Sequence, residues 1–330
     1  MAVNLRKIDE QVMVITGATS GIGLTTARMA ADQGARLVLA ARSADALDQL
    51  ASELRRKGTQ VATVAADVGK QEDVERIGQT AMERFGRIDT WVNNAGISIF
   101  GRLEEVAIED QQRLMQTNFW GVVYGSLEAV KRMKTRGGGA LINLGSEVSD
   151  RAIPLQGIYA ASKHAVKAYT DALRLELEKD GAPISVTLVR PAAIDTMFTV
   201  HAKNYMDKEP ALPSPIYAPE LVAEAILYAA RHPKRDIYVG GLSRLAAVGE
   251  FTMPRSFRQQ QSGQHSAPGR RDALHAPDQS SELRQRQGMG AVHEHSPYTA
   301  LALRSKPLAA AVLGGGALFA AWGLSRRLAR

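Results

Sequence analysis

Seven short apolar runs constrain this chain more than any other feature. They are QVMVIT, RLVLAA, QVATVAA, DTWVNNA, ALINLGS, ISVTLVRP and DIYVGG. Each is apolar almost throughout, as a strand covered on both faces must be. Between them lie segments with helical periodicity, near 22–33, 44–57, 71–85, 109–134, 157–179 and 219–231. Strand–helix alternation of this kind predicts an α/β fold, a doubly wound parallel sheet with helices on both faces and right-handed crossovers. The alternation fills residues 1–250, which read as one domain.

Beyond residue 250 the pattern stops. Residues 251–306 are rich in Gln, Ser, Arg, Gly, His and Pro. A stretch with so little periodic apolar content is expected to be a disordered basic linker, since it cannot offset its ordering entropy. Residues 307–324 are then 18 consecutive uncharged, mostly apolar residues. As a helix they would span about 27 Å, against a bilayer core of about 30 Å. With basic residues on both sides and a basic end at 325–330, this reads as a membrane-associated or transmembrane helix. The alternatives are an interfacial helix or a helix docked on a partner.

Charge separates the two parts. Residues 1–250 carry 30 Lys and Arg against 30 Asp and Glu, and 251–330 carry 11 against 4. The excess sits in the tail, which argues against a nucleic-acid surface on the folded part. There is no cysteine, so disulfides and thiolate-bound metals are excluded. The histidines are scattered, and no metal site is expected. His201 stands alone in a loop, and His293 and His295 have no further ligand at a recognisable spacing.

The first strand runs into TGATSGIG, Thr16 to Gly23. Gly17, Gly21 and Gly23 let the backbone turn tightly and approach a pyrophosphate, which the helix N-terminus attracts. Thr16, Thr19, Ser20 and Ile22 complete the loop as cofactor candidates. At the end of the second strand, an acidic residue would take a ribose 2′-hydroxyl. Here Ala41 stands there and Arg42 follows. A guanidinium can pair with a 2′-phosphate, so NADP(H) is favoured over NAD(H). Asp67 ends the third strand, where it could accept from an adenine amino group or cap the next helix. Val68 would pack beside the ring.

Tyr159 and Lys163 are four residues apart and share a helical face. An ammonium beside a phenol favours the phenolate, so Tyr159 is expected to have a lowered pKa and to move a proton near neutral pH. Ser146 ends the preceding strand, at the edge where such sheets bind ligands.

With TGATSGIG, NNAG at 93–96, Asn118 in TNFWG, Ser146 and YAASK in this order, the chain resembles the short-chain dehydrogenase/reductase family over roughly residues 9–245. The resemblance implies a Rossmann fold and hydride transfer between a nicotinamide and a carbonyl or alcohol carbon. Tyr159 would be the general acid/base, Lys163 would tune it and hold the nicotinamide ribose, Ser146 would orient the substrate oxygen, and Asn118 would support a proton relay. Asn94, Ala95 and Gly96 would line the cofactor groove, with Pro191, Ala192, Ile194 and Thr196 beside the nicotinamide. A homo-oligomer built on the helices near 109–134 and 157–179 is implied too.

Two departures from the family pattern stand out. Ala192 replaces the usual glycine after the sixth strand, and Glu147 stands beside Ser146 where a small residue is usual. The segment after Thr196 falls where the family keeps a substrate lid. Met197, Phe198, Tyr205, Met206, Leu212 and Ile216 there suggest a hydrophobic carbonyl or alcohol substrate. A catalytic domain facing the cytoplasm and tethered by the C-terminus is the expected arrangement. Two other readings stay open: a 3-oxoacyl- or sugar-type reductase with an incidental tail, and a non-catalytic NADP(H) sensor or scaffold at a membrane.

Overall fold

The computed structural model describes residues 3–241, 272–278 and 282–304, with the backbone alone at 261–265. All seven expected strands form: β1 (Val12–Thr16), β2 (Arg36–Ala41), β3 (Val61–Ala65), β4 (Thr90–Asn93), β5 (Gly139–Leu144), β6 (Ile184–Pro191) and β7 (Asp236–Val239). They make one sheet in the order β7-β6-β5-β4-β1-β2-β3, and every pairing is parallel. The order reverses between β1 and β4, so a crevice opens there at the carboxyl ends of the strands.

The helices are α1 (Gly21–Asp32), α2 (Ala44–Arg56), α3 (Gln71–Phe85), α4 (Ile108–Met115), α5 (Gly121–Lys134), α6 (Gly157–Lys179) and α7 (Pro219–Ala229). One core cluster joins Ile15, Leu24, Leu37, Leu39 and Leu50 to Val222 and Ile226. The other joins Val14, Val38, Ile77, Trp91, Leu141 and Val186 on the opposite face. Apolar residues of alternating direction along each strand feed the two layers, which is why the strands are apolar throughout.

The long helical pattern near 109–134 contains one irregularity. A π-helical turn, Gln116–Trp120, separates α4 from α5, and such turns frequently mark functional sites. A buried polar network ties the sheet to these helices. Asn93 Nδ2 donates to Asn143 Oδ1 at 2.9 Å and to Ser126 Oγ at 3.2 Å. Asn143 Nδ2 donates to Thr170 Oγ1 at 2.9 Å, and Trp91 Nε1 donates to Asn93 Oδ1 at 2.8 Å.

Part of the stretch 251–306, expected as a disordered linker, is among the described residues. Residues 272–278 and 282–304 lie against the domain. Ile216–Tyr217 pairs with Val292–His293, and α8 (Pro297–Ala302) is capped by the Ser296 side chain, which accepts from Thr299 N. Asp195, 1% exposed, accepts the backbone N–H groups of Gln287, Gly288 and Met289 on Oδ1 at 3.1–3.2 Å. Arg286 pairs with Glu220 and Glu294. Long-range hydrogen bonds, together with buried Ala273 and Leu274, supply what hydrophobic periodicity does not. The apolar run 307–324 and the end 325–330 lie outside the described residues. Among the described residues, no helix is long and apolar enough to cross a membrane.

Gly125 of α5 packs onto the buried network. A Cβ there would collide with Asn93 Oδ1 and lie 2.9 Å from Trp91 Nε1. Gly125→Ala is therefore expected to cost about 1–3 kcal/mol, as overpacking does. Urea denaturation should show an earlier midpoint with an unchanged m-value. An unshifted midpoint would mean the network yields to the methyl without cost.

Candidate active site

The glycine loop is held from the neighbouring strand. Asn94 Nδ2 donates to the carbonyls of Thr16, at 2.9 Å, and Gly17, at 3.1 Å. Thr16 Oγ1 in turn accepts from the backbone N–H groups of Asn94 and Ala95. Gly17 and Gly21 have positive φ, 64° and 50°. At Gly23 a Cβ would collide with Gly17 O and the Asn94 side chain, so only glycine lets α1 start this close to the loop.

Two cavities occupy the crevice. The larger, about 140 Å³, is lined by Ile22, Asn94, Ser146, Tyr159, Lys163, Pro191, Ala192, Ile194 and Thr196. The smaller, about 100 Å³, is lined by Gly17, Thr19, Ser20, Arg42, Asp67, Val68 and Ala95. Gly96 borders both, so the two are halves of one groove. The sequence candidates thus gather along it. Thr16, Gly21, Gly23 and Asn118 line neither half, and Asn118 lies behind Gly96.

Ser146 caps the short turn Glu147–Ser149, accepting from Val148 N, while Ser146 N donates to Ser149 Oγ. Arg190 braces that turn through Asp150 at 2.8 Å and reaches Asp236 at 2.6 Å. Ser146 and Tyr159 are hydrogen-bonded through their side chains. Lys163 Nζ donates to Leu144 O at 2.8 Å and lies 5.8 Å from the Tyr159 ring centroid. Asn118, fully buried in the π-helical turn, accepts from Ile97 N and donates to Ile97 O, each at 2.9 Å, and reaches Ser162 Oγ at 3.2 Å.

The electrostatics of this set differ from the sequence expectation. Burial pushes the Tyr159 phenol well above its ordinary value; the Ser146 hydrogen bond opposes this and Glu147 adds to it. Burial also lowers Lys163 to about 8. Desolvation of both groups outweighs the attraction between ammonium and phenolate, so in this structure Tyr159 carries its proton at neutral pH. Glu147 lies in the larger cavity with its side chain 14% exposed, 3.7 Å from Arg151. Burial raises its pKa against the Arg151 charge.

At the far half, Asp67 borders the smaller cavity but is not the N-cap of the next helix. It accepts from Arg113 Nη2 at 2.6 Å and from Gly69 N at 3.0 Å, and the residue at the N-cap of α3 is Lys70. Burial works against its charge, but these bonds hold its pKa below the ordinary value. Arg42 faces the groove, yet donates to Ala273 O at 2.5 Å and Leu274 O at 3.3 Å. Sequence reasoning missed Arg113 and the residues of the C-terminal segment that wall the groove, Ala273, Pro277, Asp278 and Glu282. Nothing local marks them, because their place is set by long-range contacts.

In the segment after Thr196, Phe198 and Leu212 line the larger cavity with Ile153, Val148 and Pro213. The Phe198 ring meets Tyr159 edge-on at 5.3 Å. Met197 is buried, and Tyr205 is turned away to hydrogen-bond Asp110. Met206 and Ile216 do not border the cavity. His201 lines the smaller cavity and its carbonyl accepts from Ala273 N. Among the described residues there is no group of three potential metal ligands.

A doubly wound parallel sheet with a glycine loop opening its first helix is the architecture of a dinucleotide-dependent oxidoreductase. The family model described as short chain dehydrogenase matches residues 11–206, and the chain belongs to the short-chain dehydrogenase/reductase family. It is 53% identical over 255 residues to the uncharacterized oxidoreductase YxnA of Bacillus subtilis strain 168, covering 77% of this chain and 72% of that one. An alcohol dehydrogenase of Thermococcus sibiricus, solved with 5-hydroxy-NADP, is 33% identical with a TM-score of 0.61, over 69% of this chain and 95% of that one. A short-chain dehydrogenase/reductase of Burkholderia phymatum, solved with NAD, is 26% identical with a TM-score of 0.70, over 78% and 100%. The chain is thus an oxidoreductase of the type that uses a nicotinamide cofactor on CH–OH groups.

Lys163 gives a direct check on the burial account. In ligand-free protein with isotope-labelled lysines, one side chain should titrate near pH 8 by NMR, and its signal should be missing from Lys163→Met. A lysine set that titrates only in the ordinary range would contradict the desolvation described here.

Proposed function

We propose that the protein interconverts a carbonyl and an alcohol on a hydrophobic substrate, with Tyr159 as general acid/base. The observation that carries this reading is the convergence of Ser146, Tyr159 and Lys163 in one cavity with Pro191, Ala192, Ile194 and Thr196. Glycines where a side chain would collide, and two cavities that meet at Gly96, support an extended dinucleotide as the occupant of the groove. The nicotinamide, when bound, supplies or accepts the hydride. Ser146 Oγ would hold the substrate oxygen. Tyr159 Oη would deliver its proton to that oxygen as the carbonyl carbon is reduced. Lys163, charged below pH about 8, would stabilise the phenolate left behind and hold the ribose. Asn118 would brace the Ile97 backbone behind Gly96, next to Lys163.

A cavity wall of Val148, Ile153, Phe198, Leu212 and Pro213 supports an apolar substrate. Ala41 followed by Arg42 supports NADP(H) over NAD(H). Exposed Trp120, Leu127 and Leu175 on the outer faces of the π-helical turn, α5 and α6 support a homo-oligomer. A C-terminal membrane tether rests on the composition of 307–324 alone. The sensor reading does not account for the Ser146–Tyr159–Lys163 set.

Tyr159→Phe should abolish turnover in a panel of hydrophobic ketones and aldehydes while retaining cofactor binding by fluorescence titration. Turnover surviving in this variant would sink the assignment of the acid. Arg42→Ala should weaken NADPH about tenfold more than NADH, the scale of a lost charge-assisted hydrogen bond. Equal losses for both cofactors would remove the phosphate-clamp role. Carbonyl reduction should fall as pH rises through about 8, where Lys163 loses its charge. In Lys163→Arg, any residual activity should lack that alkaline limb.

A further inference from the structure

Residues 272–278 and 282–284 border the cofactor groove and bond to its cofactor-facing loop. Leu283 N donates to Thr19 O at 2.7 Å, and Gly21 N donates to Arg284 O at 3.0 Å. The segment is fixed downstream by Asp195, which collects three backbone amides, and by Thr199 Oγ1, which donates to Gln287 Oε1 at 2.7 Å. It is fixed upstream by Ala273 N donating to His201 O at 2.8 Å and by His275 against Asp110 at 2.7 Å. A cavity of about 100 Å³ remains between the segment and the end of β2.

Within that cavity the segment places Glu282. Burial raises its pKa, with the Thr19 side chain opposing this, and Oε2 is buried with no hydrogen-bond partner among the described residues. A buried carboxylate oxygen without a donor is costly. The cavity it borders is also bordered by Ala41 and Arg42, the end of β2 where an adenosine ribose belongs. There the strand offers no carboxylate, since Ala41 occupies the position. Arg42, the group that would greet a 2′-phosphate, is meanwhile engaged with the Ala273 and Leu274 carbonyls.

We propose that Glu282, brought from the C-terminal segment, is a cofactor-specificity residue: Oε2 accepts the 2′-hydroxyl of an unphosphorylated adenosine ribose and opposes a 2′-phosphate. This rests on the reading of the groove as a nicotinamide-dinucleotide site. Arg42 and Glu282 then act in opposite senses at one corner. Arg42 draws the phosphorylated cofactor, and docking of the segment favours the unphosphorylated one. NADP(H) must win Arg42 from two backbone carbonyls, a competition that NAD(H) does not enter.

The test uses the full chain, with NADPH and NADH titrated separately into parent, Glu282→Gln and Leu283→Pro. Glu282→Gln keeps the shape and removes the charge, and should raise the ratio of NADPH to NADH affinity about tenfold, the scale of a hydrogen bond to a charged group. Leu283 has φ 59° and donates to Thr19. Proline lacks that N–H and cannot take a positive φ, so Leu283→Pro undocks the segment there and should shift the ratio in the same direction. A ratio unmoved or lowered in Glu282→Gln overturns the proposal, even if Leu283→Pro moves it. A parent chain that binds neither cofactor would instead overturn the reading of the groove.

Discussion

Asn94 holds the site together. One amide donates to two consecutive carbonyls at the end of β1, joining the carboxyl end of β4 to the glycine loop. Everything on the cofactor side depends on this bridge. It fixes Gly17 in its positive-φ conformation and keeps it against Gly23, so α1 begins directly at the crevice. The same strand end continues into Gly96, where Asn118 and Lys163 sit behind the backbone. A single polar side chain therefore sets the spacing between the phosphate-facing loop and the reacting end. The sheet alone could not, because parallel pairing ends at Thr16 and Asn93.

The reacting end is built on a different principle. Ser146, Tyr159 and Lys163 come from a strand end and one helix, but their character comes from burial. Desolvation raises the phenol and lowers the ammonium. A protonated phenol beside a lysine that is close to losing its charge can release a proton and recover one with small changes in its surroundings. A bound cofactor would alter those surroundings by displacing water and adding ribose hydroxyls.

The sheet was legible in the sequence to within a residue or two, because buried parallel strands must be apolar and their covering helices must be amphipathic. The groove was legible as well: glycines mark close approaches, and Ser146, Tyr159 and Lys163 sit on elements whose direction the topology fixes. The signs of the pKa shifts were not legible, since spacing reports which groups are neighbours and burial decides which effect wins. The partner of Asp67 was not legible for a related reason: Arg113 lies 46 residues away on α4. The C-terminal segment was the largest miss. Its composition is that of a linker, and it is ordered by polar contacts to Thr19, Asp195 and Glu220 that leave no periodic trace.

The placement of that segment separates two events in time. The last strand of the sheet is complete at Val239, and the residues that wall the ribose corner follow later in the chain. A chain emerging from the ribosome thus finishes its dinucleotide groove before it makes the wall that narrows it. The contacts of Arg42 with the Ala273 and Leu274 carbonyls therefore form only once the chain has passed residue 274.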